Sequence, residues 1–126
     1  MTLRDIDPAF NLLAEFGKAT KGTTKQLGAM RQAAIFSDGA VPARLKALTA
    51  VLWSISARCE PCIAFYMEEA VKRGAGEDEI GEILAVASVM GGCVGEMWAL
   101  KAYKAYRDCL AGNKERSEPS CCGGHG

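Results

Sequence analysis

The fold is decided by residues 42–74, whose sequence is PARLKALTAVLWSISARCEPCIAFYMEEAVKRG. Pro42 is suited to the first position of a helix, because the missing N–H of proline costs nothing there. The apolar residues that follow are spaced alternately three and four apart, as on one buried helical face: Leu45, Leu48, Leu52 and Ile55. A second proline, Pro61, predicts the start of another helix, which ends at Gly74. The stretch therefore predicts two consecutive amphipathic helices.

The flanking sequence extends this helical pattern in both directions. Asp7 followed by Pro8 predicts the start of a first helix, and Thr23 or Thr24 predicts the cap of a second. Glu77 and Asp78 suit the first turn of a helix that is interrupted at Gly91–Gly92 and resumes towards Gly112. No segment alternates with period two for long enough to indicate a strand. We predict an all-α fold, a compact bundle of five to six helices over residues 1–112, and a flexible Cys- and His-containing tail over residues 113–126.

Composition excludes several classes of function. The chain has 126 residues, 49% of them hydrophobic, with 15 basic and 15 acidic residues, which is unlike a disordered chain. Its basic residues are interleaved with acidic ones, so nucleic acid is not expected as a partner. No apolar run reaches the roughly 18 residues that cross a bilayer, and the acidic N-terminus does not resemble a secretory signal. We therefore expect a cytoplasmic protein with no membrane partner.

The candidate for chemistry is the motif Cys59-Glu60-Pro61-Cys62. Its position at a helix N-terminus favours a thiolate, because free N–H groups and the positive end of the helix dipole lower a cysteine pKa. A thiolate attacks peroxides and disulfides, and the second cysteine can resolve the product. Tyr66 lies one helical turn after Cys62, where its hydroxyl could contact a thiolate or a bound peroxide. The same spacing also fits half of a zinc site or two buried, inert cysteines.

Residues 42–106 resemble the carboxymuconolactone decarboxylase-like family, within it the branch typified by alkyl hydroperoxidase D. The resemblance rests on spaced landmarks in order: PARLKAL at 42–48, SARCEPCI at 56–63, RGA at 73–75, EI at 79–80 and VMGG at 89–92. It implies an all-helical fold that assembles into homo-oligomers, trimers or hexamers. In the thiol branch it implies reduction of a hydroperoxide substrate by paired cysteines, with electrons from a thiol or protein donor and no organic cofactor.

The resemblance implies that Cys62 attacks the peroxide and that Cys59 resolves, whereas position in the helix alone favours Cys59 as the attacking residue. The thiol branch also uses a glutamate in the preceding helix, a histidine four residues after the second cysteine and, in its best-known members, a histidine between the two. These positions hold Ala47, Tyr66 and Pro61. The proton relay of the family is therefore missing or relocated. The true decarboxylases of the family act without a redox dithiol, so the cysteine pair argues against that activity.

Four further cysteines and one histidine lie outside the motif. Cys93 follows the glycine pair and is either a third redox partner or a small packing residue. Glu96 lies one turn later, where it could serve as a substitute base. Cys109 is expected to be filler. The tail holds the remaining soft ligands, Cys121, Cys122 and His125, which suit a metal ion or a thiol shuttle or have no role.

Three hypotheses follow from the sequence. The leading one is a thiol-dependent, peroxidase-like oxidoreductase with an antioxidant role, in which Cys59 and Cys62 cycle between dithiol and disulfide, assisted by Tyr66 or Glu96. The second is a metal- or metalloid-binding protein that uses the motif and the tail. The third is a catalytically degenerate family member that persists as an oligomeric scaffold.

Overall fold

The structure, a computed structural model, describes residues 3–117, and the side chains of residues 3–112. Within this part the chain forms helices and no strand, which confirms the predicted all-α class. In chain order the elements are α1 (Leu3–Ile6), a 3₁₀ helix (Pro8–Leu12), α2 (Leu13–Ala19), α3 (Thr23–Ala34), α4 (Ala43–Ala57), α5 (Glu60–Lys72) and α6 (Glu77–Ser117).

Helices α4, α5 and α6 form the core, each packed against the other two. The stripe predicted on α4 is rotated: Leu48 and Ile55 are buried, whereas Leu45 and Leu52 are only partly buried. Ala47 and Val51 are fully buried in their place. Because α4 lies between two partners, a broader face than one stripe is covered, and small residues allow the close approach. The fully buried larger side chains of the other two helices are Ile63, Met67 and Ile80.

The N-terminal region is organised differently from the core. The first predicted helix begins at Pro8 as expected, with the Asp7 side chain accepting a hydrogen bond from Ala9 N at 2.9 Å, but it starts as a 3₁₀ turn. The predicted threonine cap of the next helix is wrong: Gly22, in the left-handed conformation with φ 91°, is the N-cap of α3. Helices α2 and α3 pack on each other and not on α4–α6, while α1 packs on α5.

Helix α6 contains the interruption that the glycine pair predicted. Gly92 has φ 62° and ψ −145°, a conformation outside the helical region, so the helix is kinked there. It then continues past Gly112, where the sequence predicted its end, to Ser117, because Lys, Glu and Arg favour helix. Part of α6, Glu77–Gly112, contains an 18-residue window of mean hydropathy 1.7 and is long and apolar enough by composition to span a bilayer. This window corrects the expectation that the chain holds no apolar run long enough to cross a bilayer. In the structure, α6 buries Ile80, Leu84 and Ala87 in the helical core, while 22% of the apolar window is buried.

Candidate active site

The turn between α4 and α5 positions the cysteine pair. Arg58 ends α4 with φ 56° and ψ 41°, a left-handed conformation that is uncommon for a residue with a side chain. Two backbone hydrogen bonds close the turn, from Arg58 N to Ile55 O and from Cys59 N to Ser54 O, both at 3.0 Å. Cys59 is then extended and forms the N-cap of α5, with Pro61 in the first turn as predicted. The turn therefore reverses the chain and places the CxxC motif at a helix N-terminus.

Cys59 and Cys62 are joined as a disulfide, with an S–S distance of 2.06 Å and a Cα–Cα distance of 5.2 Å. A Cα separation in this range permits the bond without movement of the backbone. Both residues are partly buried. The native fold therefore accommodates the pair as a disulfide, which is one of the two states that a redox cycle needs.

Cys62 and Tyr66 line a cavity of about 580 Å³ between α4, α5 and the segment that follows α3. Cys59 is not among the lining residues. The cavity walls are Ile35, Val41, Lys46, Thr49, Ala50, Trp53, Ser54, Cys62 and Tyr66. A molecule in the cavity therefore meets Cys62, whereas Cys59 does not line the cavity. This is the arrangement needed if Cys62 attacks and Cys59 resolves.

Tyr66 is held by two other aromatic rings. Its ring centroid lies 5.0 Å from that of Phe65 and 6.1 Å from that of Phe36. The Arg73 guanidinium lies 4.5 Å over the Phe36 ring and also forms an ion pair of 2.9 Å with Glu69. Edge-to-face and cation–π contacts of this kind restrict ring orientation. Tyr66 is thus a fixed part of the cavity wall next to Cys62.

Sequence reasoning missed the polar residues that α4 contributes to the cavity: Lys46, Thr49 and Ser54. Ser54 is buried, and its Oγ donates to Ala50 O at 2.7 Å; Thr49 Oγ1 donates to Leu45 O at 3.0 Å. The signal was present, because residues 46, 49, 50, 53 and 54 share one helical face. Helical spacing shows that these residues share a face, but not that this face lies beside Cys62.

The other described residues considered from the sequence do not line the cavity of Cys62. Ala47, at the position of the family's glutamate, is fully buried in the core with 0% exposure. Cys93 is exposed and free, and Glu96 is exposed, both on α6, and neither lines the cavity of Cys62. Cys109 packs partly buried against the core. Cys121, Cys122 and His125 lie outside the described residues.

The described residues contain no group of three or more His, Cys, Asp or Glu side chains that could hold a metal ion. The one acidic residue within the motif, Glu60, lies 3.7 Å from Lys101 Nζ in an exposed ion pair. Within residues 3–112, the Cys62 sulfur, the Tyr66 phenol and the Lys46 ammonium line an apolar cavity, and the Cys59 sulfur is bonded to Cys62. Those groups suit thiol–disulfide chemistry on an organic molecule.

Comparison with known proteins gives a consistent picture. A family model described as the carboxymuconolactone decarboxylase family matches residues 22–105. An uncharacterised protein of Cupriavidus necator is 33% identical over 108 residues, which cover 86% of this chain and 91% of that protein.

Two solved structures are similar in fold and sequence. The apo form of a carboxymuconolactone decarboxylase family protein from Legionella pneumophila has a TM-score of 0.75 and 31% identity, covering 85% of this chain and 92% of its own. A family member from Thermotoga maritima, described as a possible participant in antioxidative response, has a TM-score of 0.67 and 26% identity, covering 78% and 83%.

Proposed function

The chain belongs to the carboxymuconolactone decarboxylase family, and from that premise we propose that it is a thiol-dependent peroxidase that reduces hydroperoxides through a Cys59–Cys62 dithiol–disulfide cycle. The single observation that carries the proposal is the disulfide-bonded pair with Cys62, but not Cys59, on the wall of a cavity. The antioxidative role suggested for the Thermotoga maritima relative agrees with it.

The reaction begins with the reduced pair. The Cys62 thiolate attacks one oxygen of R–O–O–H, so that an S–O bond forms and the O–O bond breaks. Cys62 becomes a sulfenic acid, and the alkoxide takes up a proton and leaves as the alcohol. The Cys59 thiol then attacks the Cys62 sulfur, the disulfide forms and water leaves. A small dithiol or a protein thiol donor returns two electrons by thiol–disulfide exchange.

Proton transfer is the weak part of this site. The methyl side chain of Ala47 cannot carry a proton, and Tyr66 offers a phenol hydroxyl in place of the imidazole that usually serves as a general base. Tyr66 therefore serves best by donating a hydrogen bond to the bound peroxide, and Glu96 can assist only if α6 moves or another copy supplies it. Loss of a general acid–base typically costs about 10²–10⁴-fold in rate, so a slow peroxidase is expected.

The decisive experiment counts free thiols by mass spectrometry after reduced protein meets one equivalent of hydroperoxide, with peptide mapping of any disulfide. The proposal expects a Cys59–Cys62 bond to form with one equivalent of alcohol. In Cys59→Ser, sulfenic acid should accumulate on Cys62; in Cys62→Ser, oxidation at Cys59 should be at least tenfold slower. Cys93 serves as the internal control, because it is exposed and has no disulfide partner. Thiols at 59 and 62 that stay reduced, or that react no faster than Cys93, would overturn the proposal.

The replaced relay favours one alternative, a catalytically degenerate member that persists as an oligomeric scaffold. It expects the double variant Cys59→Ser, Cys62→Ser to assemble normally and the wild type to resist oxidation. The metal-binding alternative would use the pair with tail residues, and elemental analysis of the purified, reduced protein separates it from both. One equivalent of bound metal, lost in the double variant, would favour metal binding over the redox cycle.

Assembly into a homo-oligomer, a trimer or hexamer as the family resemblance implies, is part of the proposal, as is a cytoplasmic setting that keeps the pair reducible. Its support is the amount of exposed apolar surface, since patches of this kind mark interfaces. On α6, Val89 is 83% and Met90 82% exposed. The 3₁₀ helix also exposes Leu12, and the α2–α3 pair exposes Leu13, Phe16, Leu27 and Met30.

Light scattering after size exclusion tests the assembly. Val89→Glu with Met90→Glu should reduce the mass to that of a smaller species, because two carboxylates would enter an apolar interface. Lys25→Glu, an exposed change on α3, is the charge control. A wild type that runs as a 13.4 kDa monomer would refute the assembly.

A further inference from the structure

We propose that the substrate of this site is an amphipathic organic hydroperoxide with an anionic head, of the fatty-acid hydroperoxide class, held in the cavity beside Cys62 with Lys46 as the partner of its carboxylate. The inference rests on the proposed function and specifies its substrate class. It begins from the chemistry of the cavity walls rather than from the cysteines.

The walls of the cavity are mainly apolar, with Ile35, Val41, Ala50 and Trp53 contributing. A volume of about 580 Å³ lies within the range of small-molecule sites. Hydrogen peroxide fills little of such a space and gains nothing from its walls. An alkyl chain gains up to about fourfold in affinity for each methylene that leaves water. The cavity therefore favours an organic hydroperoxide over hydrogen peroxide.

Charge narrows the class further. Lys46 is the only charged residue that lines the cavity, and within the described side chains, residues 3–112, no ion pair involves it. The hydroxyl protons of Thr49 and Ser54 are already donated to carbonyls of their own helix. An ammonium group beside an apolar cavity attracts a carboxylate, which it also hydrogen-bonds. An alkyl chain with a carboxylate at one end can pack against the apolar walls and pair its carboxylate with Lys46.

A ligand in this cavity would also account for the exposure of the Trp53 side chain. Trp53 is 72% exposed, although a tryptophan usually buries most of its surface. Its ring lines the cavity of Cys62 and also a second apolar cavity of about 610 Å³ between α4 and the kink of α6. The apolar surface continues past this ring into the second cavity, where Met90 belongs to the proposed subunit interface. Trp53 also provides a fluorescent reporter at the site.

The redox step on this substrate balances as in the proposed cycle. The dithiol loses two electrons and forms the Cys59–Cys62 bond, and the hydroperoxy acid is reduced to the hydroxy acid with release of water. Dithiothreitol supplies the two electrons for each further turnover in the test.

The test compares single-turnover oxidation of the reduced protein by three probes below their aggregation concentrations: linoleic acid hydroperoxide, its methyl ester, and hydrogen peroxide. We expect the acid to react about three- to tenfold faster than the ester, because the esters lack the charge that Lys46 binds. We expect both to react faster than hydrogen peroxide. Equal rates for acid and ester, or a preference for hydrogen peroxide, would overturn the inference while leaving peroxidase activity intact. This comparison needs no variant.

Lys46→Met keeps the apolar stem of the lysine and removes its charge. It should slow oxidation by the acid about three- to tenfold and so abolish the difference between acid and ester. Lys25→Met, an exposed lysine on α3 that lines neither cavity, should preserve the difference. A Lys46→Met protein that still prefers the acid would contradict the assignment of the lysine.

Binding of linoleate, which has no peroxide bond, to the double variant Cys59→Ser, Cys62→Ser separates the two proposals. With Trp98 replaced by Phe so that Trp53 is the remaining tryptophan, saturable fluorescence quenching that weakens about three- to tenfold in Lys46→Met supports the ligand class. If linoleate binds in this way but no hydroperoxide oxidises the wild type, the proposed function fails and the cavity is a ligand site without peroxidase chemistry. If hydroperoxides oxidise the pair and linoleate does not bind, the proposed function stands and the substrate class is wrong.

Discussion

Substitution of Gly92 by alanine tests the kink that shapes α6. Gly92 has φ 62° and ψ −145°, a region that is essentially restricted to glycine and costs a residue with a side chain about 1–3 kcal/mol. Gly81 lies in the same helix with helical geometry, and an added Cβ meets nothing within 4 Å. Alanine at Gly81 should therefore raise the free energy of unfolding by about 0.5–1 kcal/mol. Both substitutions replace glycine by alanine, but Gly92→Ala should lower the free energy of unfolding and Gly81→Ala should raise it.

The assay is denaturant unfolding followed by circular dichroism, at one protein concentration because association shifts apparent stability. We expect the two variants to differ by about 1.5–4 kcal/mol, with Gly92→Ala the less stable. Gly95→Ala should also destabilise the protein, for a different reason, since its Cβ would clash with the carbonyl oxygen of Ala87. If Gly92→Ala and Gly81→Ala both stabilise the protein, the kink does not persist in solution and the reasoning fails.

Three further predictions concern packing, charge and pH. Met67→Ala, at a fully buried position of α5, should lower the free energy of unfolding by about 2–5 kcal/mol in urea melts; a loss below about 1 kcal/mol would mean that the three-helix core is not packed as described. Arg44→Met breaks the 3.0 Å ion pair between Arg44 and Glu79, whose two side chains are 35% and 36% exposed. The variant should lose no more than about 1 kcal/mol of unfolding free energy, and 1 M NaCl should reduce this loss. A larger loss that does not depend on salt would contradict the prediction. Burial, followed by the charge of Glu77, raises the pKa of Tyr106 above its usual 10.0. Stability from this group is therefore full below pH 10 and is lost as the pH rises through the folded-state value, so Tyr106→Phe should flatten the alkaline fall in unfolding free energy, whereas an unchanged pH profile would refute the contribution.

The sequence by itself determined the helical class, the breaks at Gly74 and Gly92, and the cysteine pair at the start of α5. These features depend on local rules: proline at a helix start, glycine where φ is positive, and apolar residues at helical spacing. A motif within four residues needs no tertiary information to bring its sulfur atoms together. The Asp7 cap likewise follows from neighbours in the chain.

Only the tertiary structure decided which of these residues share a cavity. Helical periodicity places Leu45 and Lys46 on α4 but does not fix which side of the helix faces α5. The packing of α4 between two helices buried Ala47 and turned Lys46 towards the wall shared with Cys62, which spacing along the chain could not reveal. The same packing left Glu96 exposed on α6, away from that wall. The physical reason is that local propensity sets elements, whereas side-chain volume and the burial of apolar surface set how those elements rotate against one another.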